Sequence, residues 1–107
     1  MLAVCVTLND RIAYASRPTL GLFGMQRSDE CLGRSLLGFF DPDIQPILRA
    51  GIRRLLEKKS ESLLIHESTL VRSDRILVDV VLRVVRLDWH GEPAVQVTFG
   101  EIRNLAN

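Results

Sequence analysis

The C-terminal part of the chain constrains its fold most. Three long runs rich in β-branched residues, 63–72, 76–87 and 93–102, follow one another with only Ser73-Asp74-Arg75 and 88–92 between them. Parallel neighbours need a crossover of a dozen or more residues, so connections this short force an antiparallel meander. His90-Gly91-Glu92 supplies the turn chemistry for the second connection.

Upstream, 2–8 sets Leu2, Val4, Val6 and Leu8 against Ala3, Cys5 and Thr7, a period of two. Asn9-Asp10 tolerates positive φ and reads as a hairpin turn into a returning strand at 12–15. Ser16 stands where it can cap a helix, with Pro18 in the first turn. Gly21, Gly24, Gly33 and Gly38 fall too often for one long helix, because each costs about 1 kcal/mol in a helix interior. Several short helices are expected there, one at 28–33 and another at 35–40. Asp41-Pro42 then reads as the N-cap and first turn of a longer helix, with Pro46 still within reach of the first turn if the start lies at Asp43. Ile44, Ile47, Leu48, Ile52, Leu55 and Leu56 form one apolar stripe along it. Burying the whole stripe would be worth on the order of 10 kcal/mol. The element order predicts an α+β fold with a five-stranded antiparallel sheet.

A chain of 107 residues, 47% hydrophobic and 25% charged, fits one domain and is not disordered. Its net charge of +1 gives no overall attraction to nucleic acid or an anionic membrane. Arg49, Arg53 and Arg54 lack the interleaved aromatics of a nucleic-acid surface and read as a solvated helix face. No apolar run approaches the roughly 20 residues of a membrane span, and no basic segment precedes Leu2-Ala3-Val4. A cytoplasmic location is therefore expected. Cys5 and Cys31 have no metal-ligand spacing and read as small buried hydrophobes in a reducing compartment, with no metal.

With these residues in this order, the chain resembles the PAS domain, a sensor module of bacterial signalling proteins. Ile12-Ala13-Tyr14-Ala15-Ser16 lies where that family carries an I-x-Y-x-N strand end. Leu22-Phe23-Gly24-Met25 and Glu30-Cys31-Leu32-Gly33-Arg34-Ser35-Leu36 are similar to its L-x-G-Y…E-L-I-G-K-S-L stretch. Phe39-Phe40-Asp41-Pro42-Asp43 is similar to F-x-H-P-D-D. The resemblance spans about 4–103, so residues 1–107 are taken as a single domain. It implies the sheet order 2-1-5-4-3, with the helices on one face enclosing a pocket. Arg75 stands where the family often has glycine, and Glu101-Ile102-Arg103 where it often has D-I-T, a segment that couples the sheet to an output helix. Glu101 and Ile102 are accordingly assigned to signal output.

The same resemblance frames the chemistry. Flavin-binding members carry a nucleophilic cysteine that aligns with Leu36, and ring-binding amides that align with Leu70, Val80 and Phe99. An apolar lining leaves the polar edge of a flavin unmet at roughly 1–3 kcal/mol per group, which argues against that cofactor. The haem-ligand position falls near Ser60, and His66 reads as a sheet histidine, which argues against haem. If Leu70 faces inward, alternation turns His66 and Ser68 inward too. With Val78, Val80, Leu82, Val95, Val97, Phe99, Leu36 and Phe40 they would line a mostly apolar ligand pocket. No phosphate loop, H-E-x-x-H or G-x-S-x-G occurs, so no catalytic residue is assigned. Asp79, on the outer face with Arg83, is expected in an ion pair.

Leu77, Val81 and Val85 form an apolar stripe on the other sheet face, joined by Gln96 and Thr98. Exposed stripes of this kind mark partner sites, and the resemblance implies a homodimer through this face. The family often carries a helix before the first strand; here Met1 enters that strand almost at once. The chain is thus expected to be a piece excised from a longer protein. The leading expectation is a sensory and dimerisation domain that binds a small ligand and signals to a linked output domain. Its parent would be a histidine kinase, a cyclic-dinucleotide enzyme or a transcription regulator. The alternative is a ligandless dimerisation module with a packed core.

Overall fold

The computed structural model describes residues 2–101. Five strands, β1 (Ala3–Leu8), β2 (Arg11–Ala15), β3 (Ser62–Val71), β4 (Leu77–Trp89) and β5 (Glu92–Glu101), form one sheet. Its order is β2-β1-β5-β4-β3 and every pairing is antiparallel. The meander β3–β4–β5 is the one expected, with β4 running on to Trp89.

Turn chemistry sets the registers. Asn9 and Asp10 take φ of 50° and 67°, and His90 and Gly91 take 52° and 84°, so both hairpins close through paired left-handed residues whose twist suits the strands. Arg75 also takes a positive φ, 69°, at the bend between β3 and β4. Glycine would adopt that conformation without strain.

The helices lie on one face. α1 (Arg17–Phe23) follows Ser16 as expected, but the Ser16 hydroxyl does not cap it. It accepts the Val4 N–H at 2.9 Å and donates to the Leu2 carbonyl at 3.0 Å, while Thr19 donates to the Val4 carbonyl at 2.9 Å. The strand edge takes the hydroxyl because a buried strand group without a partner costs more than an exposed helix end. Short 3₁₀ turns at Ser28–Glu30 and Leu37–Phe39 lie within the two segments expected to be helical.

α2 (Gln45–Leu56) starts later than Asp43, because Asp41 closes a turn of its own. Its carboxylate accepts the Asp43 N–H at 2.9 Å and its carbonyl the Ile44 N–H at 3.0 Å. The helix ends with Lys58 at φ 61° and Lys59 N–H donating back to the Arg54 carbonyl at 2.8 Å, a left-handed stop. Only part of its stripe is buried. Leu48 and Leu55 are enclosed and Ile44 and Ile52 pack against the core, whereas Ile47 (57% exposed) and Leu56 face out. The stripe spans a wider arc than one contact face can cover, so the stabilisation falls short of full burial. Gly51 sits at the closest approach, where a Cβ would lie 2.5 Å from Leu63 Cδ2. Arg86 on β4 donates to the Leu55 carbonyl at 2.8 Å, satisfying an orphan acceptor at the helix end.

Candidate functional site

The inner sheet face and the helices enclose a single apolar cluster. Leu36, Phe40, Leu70, Val80, Leu82, Val95, Val97 and Phe99 all belong to it, and Val78 packs at its margin. Ser68 is buried beside them and its hydroxyl donates to the Val80 carbonyl at 2.9 Å. These positions converge as alternation requires.

His66 does not join them; it is exposed. Between Ile65, opposite Leu82, and Ser68, opposite Val80, the register of β3 shifts, so His66 and Glu67 share the span of one partner residue. Such a bulge resets the alternation, and counting by twos from Leu70 fails beyond Ser68. No sequence signal marks the bulge.

Phe23 and Phe39, not foreseen as interior residues, occupy the centre. Their rings stack with centroids 4.3 Å apart, Phe99 meets Phe23 edge-on at 5.9 Å, and Phe40 lies 6.4 Å from Phe99. All four phenylalanines of the chain thus meet in one place. The signal was available in Phe39-Phe40, adjacent residues on a tight turn that reach the interior together.

Cys5 and Cys31 are both buried free thiols. Burial, and then the nearby Cys31 sulfur, pushes the Cys5 thiol up to about 12. Burial also raises Cys31, partly opposed by the Arg34 guanidinium. Neither thiol is a ready nucleophile. Among the described residues no group of three or more His, Cys, Asp or Glu could hold a metal ion.

No family model matches the sequence and no curated protein matches it. Solved structures do. The PAS-B domain of Drosophila melanogaster Cycle with bound ethylene glycol is similar at a TM-score of 0.80 and 11% identity, over 95% of this chain and 100% of that one. A PAS domain from Desulfitobacterium hafniense gives 0.76 and 17%, over 94% and 92%. A light-oxygen-voltage domain studied with a flavin analogue gives 0.77 and 20%, over 96% and 78%. The chain has the PAS fold.

The likeness to a light-oxygen-voltage domain raises flavin again, and the interior of this PAS fold does not fit it. Leu36, Leu70, Val80 and Phe99 are buried and apolar, so none can meet the polar edge of the ring. The Ser68 hydroxyl is already engaged by the Val80 carbonyl, and the Phe23 and Phe39 rings stack within the same apolar cluster.

The outer face of the PAS sheet carries no helix among the described residues. Leu77 is 63% exposed, and Val81, Val85, Gln96 and Thr98 are half-buried on it. Asp79 accepts the Thr69 hydroxyl at 3.2 Å and makes no ion pair with Arg83, which corrects the expected pairing. The neighbouring strand offered a donor closer than the long arginine. At the other end of this face Val6 (2% exposed) and Ala94 (1%) are buried, where the rings of Tyr14 and Trp89 approach. Glu101 ends β5, exposed, opposite Val80. Ile102 lies outside the described residues. Among those residues no helix is long and apolar enough to cross a membrane.

Two clefts open at the rim, where the β1–β2 turn, α2 and the start of β5 meet. Their volumes are about 280 and 240 Å³, and both are lined by Thr7, Asp10 and Ile52. Of the expected pocket residues, only Val95 reaches them.

Proposed function

We propose that this PAS fold serves a signalling protein as an assembly and relay module, its outer sheet face paired with a second copy of the chain. Two neighbouring features favour a self-complementary contact. Leu77, Val81 and Val85 form an open apolar stripe, and Gly100 opposite Val81 leaves a shallow place for a partner side chain. The stripe is flanked by Asp79 and Arg83, opposite charges that a two-fold operation could bring together. Changes at the interface pass along β5 to Glu101, Ile102 and a linked output domain. The observation that carries this reading is an apolar outer face left open beside an interior in which the phenylalanine rings pack on one another.

An interior small ligand among Leu36, Phe40, Ser68, Leu70, Val78, Val80, Leu82, Val95, Val97 and Phe99 is the weaker reading. It would have to part Phe23, Phe39 and Phe99, and His66 is no longer among its contacts. Sedimentation equilibrium decides between them. The chain is expected to sediment as a dimer, and Val81→Asp as a folded monomer with an unchanged circular dichroism spectrum. A monomeric wild type, or a Val81→Asp dimer, would overturn the assembly reading. A stoichiometric small molecule retained in native mass spectrometry would establish the interior site instead.

A further inference from the structure

The outward residues of β4 form a pattern that is symmetric about its middle. Leu77, Asp79, Val81, Arg83 and Val85 are apolar at the centre and at both ends, with one acid and one base placed evenly on either side of Val81. Asp79 and Arg83 are exposed, and neither belongs to an ion pair among the described residues. Within one chain they cannot meet, because four residues of extended strand hold them roughly 13 Å apart. Asp79 engages the Thr69 hydroxyl through one oxygen and keeps its second oxygen for another donor. Beside the centre, Gly100 stands opposite Val81, and a Cβ built there would lie 3.9 Å from Val81 Cβ, so the backbone leaves a niche next to the middle residue. Leu64, opposite Arg83 on β3 and 53% exposed, widens the apolar surface.

We infer that two copies pair with their β4 strands antiparallel, the two-fold axis crossing β4 at Val81. This geometry rests on the pairing of outer faces proposed above and adds its direction and register. In the aligned packing of two sheets the strands stay within about 30° of one another, so the axis runs close to along β4 or close to across it. An axis along β4 sets Asp79 against the partner's Asp79 and Arg83 against the partner's Arg83. An axis across it at Val81 instead sets Asp79 against the partner's Arg83 twice, and Leu77 against the partner's Val85 twice. Like charges facing one another disfavour the first arrangement, and opposite charges favour the second. The Tyr14–Trp89 end does not obstruct it. Trp89 stands eight residues past Val81 while β4 begins four before it, so that end falls outside the overlap.

The arrangement has a consequence for the relay. Glu101 is opposite Val80, one step from the axis. It and its copy therefore face each other across the sheet-to-sheet gap, about 10–15 Å apart, at the centre of the dimer. Glu92, paired with Trp89 at the far end of β4, is carried to opposite extremes.

The test is the distance between spin labels on Glu92→Cys in the dimer, read by double electron–electron resonance. Glu92 is exposed and Cys5 and Cys31 are buried, so the label is confined to the new thiol. The expected distance is about 50 Å, whereas an axis along β4 would give less than about 25 Å. Sedimentation equilibrium of Asp79→Asn and Arg83→Gln supplies the second reading. Each is expected to weaken the dimer about fivefold, and Asp79→Asn keeps an acceptor for the Thr69 hydroxyl. Salt should weaken the wild-type dimer more than that of the doubly neutralised chain. A short distance, or neutralised variants that dimerise as tightly as the wild type or more tightly, would overturn the orientation and leave the pairing of faces standing. A monomeric wild type would overturn the pairing itself.

Discussion

Tyr14 on β2 and Trp89 on β4 hold their ring centroids 6.0 Å apart although β1 and β5 run between their strands. The rings can meet only by lying over the residues between, and Val6, opposite Tyr14, and Ala94, near the Trp89–Glu92 pair, are the buried ones there. One end of the outer face is thus closed by the chain itself. The open end is the stretch from Leu77 to Val85.

Removing this cover should cost stability without touching the main core. Trp89→Ala is expected to lower the unfolding free energy by about 1–3 kcal/mol. Urea denaturation measures the loss, and amide exchange at Val6 and Ala94 should quicken. A change below about 0.5 kcal/mol would show that the pair does not hold the face together.

Two backbone positions should respond with opposite sign. Gly24 ends α1 at φ 75°, and a Cβ there would lie 2.7 Å from the Ser73 Oγ, which itself donates to the Gly24 carbonyl at 2.6 Å. Gly24→Ala combines a left-handed penalty with that close approach and should destabilise by about 1–3 kcal/mol. Arg75→Gly relieves the same kind of strain and should stabilise by up to about 1 kcal/mol. Midpoints of thermal unfolding should move down for the first and up for the second.

Alkaline pH should unfold the chain through Cys5. Its thiol, pushed up to about 12, keeps its proton in the folded state after the unfolded thiol, near 9.0, has lost one. Stability from this group is complete below pH 9. Above that pH the native state binds more protons, so stability falls by about 1.4 kcal/mol per pH unit until pH 12 is approached. Cys5→Ala should flatten the slope, and a chain equally stable at pH 8 and pH 10.5 would contradict the burial.

The bulge in β3 separates two polar residues two positions apart, His66 and Ser68. His66→Ala should leave the unfolding free energy within about 0.5 kcal/mol, as for any exposed side chain. Ser68→Ala removes a buried hydrogen bond to the Val80 carbonyl, and should cost about 1 kcal/mol. A larger loss at His66 than at Ser68 would place the bulge elsewhere.

Most of the interior set could be read in advance, because Val80, Leu82, Val95, Val97 and Phe99 lie on regular stretches where period two holds. The errors share a cause. His66 fell beyond an inserted residue, and one such residue inverts every position after it. Ser16 and Asp41 were both assigned to helix caps on residue type alone. Their oxygens went to the β1 edge and to a local turn, choices set by which donors the fold brings within reach. Trp89 was placed in a turn although β4 extends through it. That extension puts its ring opposite Tyr14, a partner no local pattern could indicate.

By itself, the order of apolar and turn residues determined the five strands, the two hairpin turns, the long helix and the meander, since each depends on neighbours a few positions away. The tertiary structure decided what the enclosed space contains, which way β3 turns its polar residues, and how much of the outer face stays open. Those depend on where Phe23 meets Phe39, where a strand slips against its partner and where Tyr14 meets Trp89. Such contacts join residues distant along the chain, so their geometry exists only once the sheet and helices have packed.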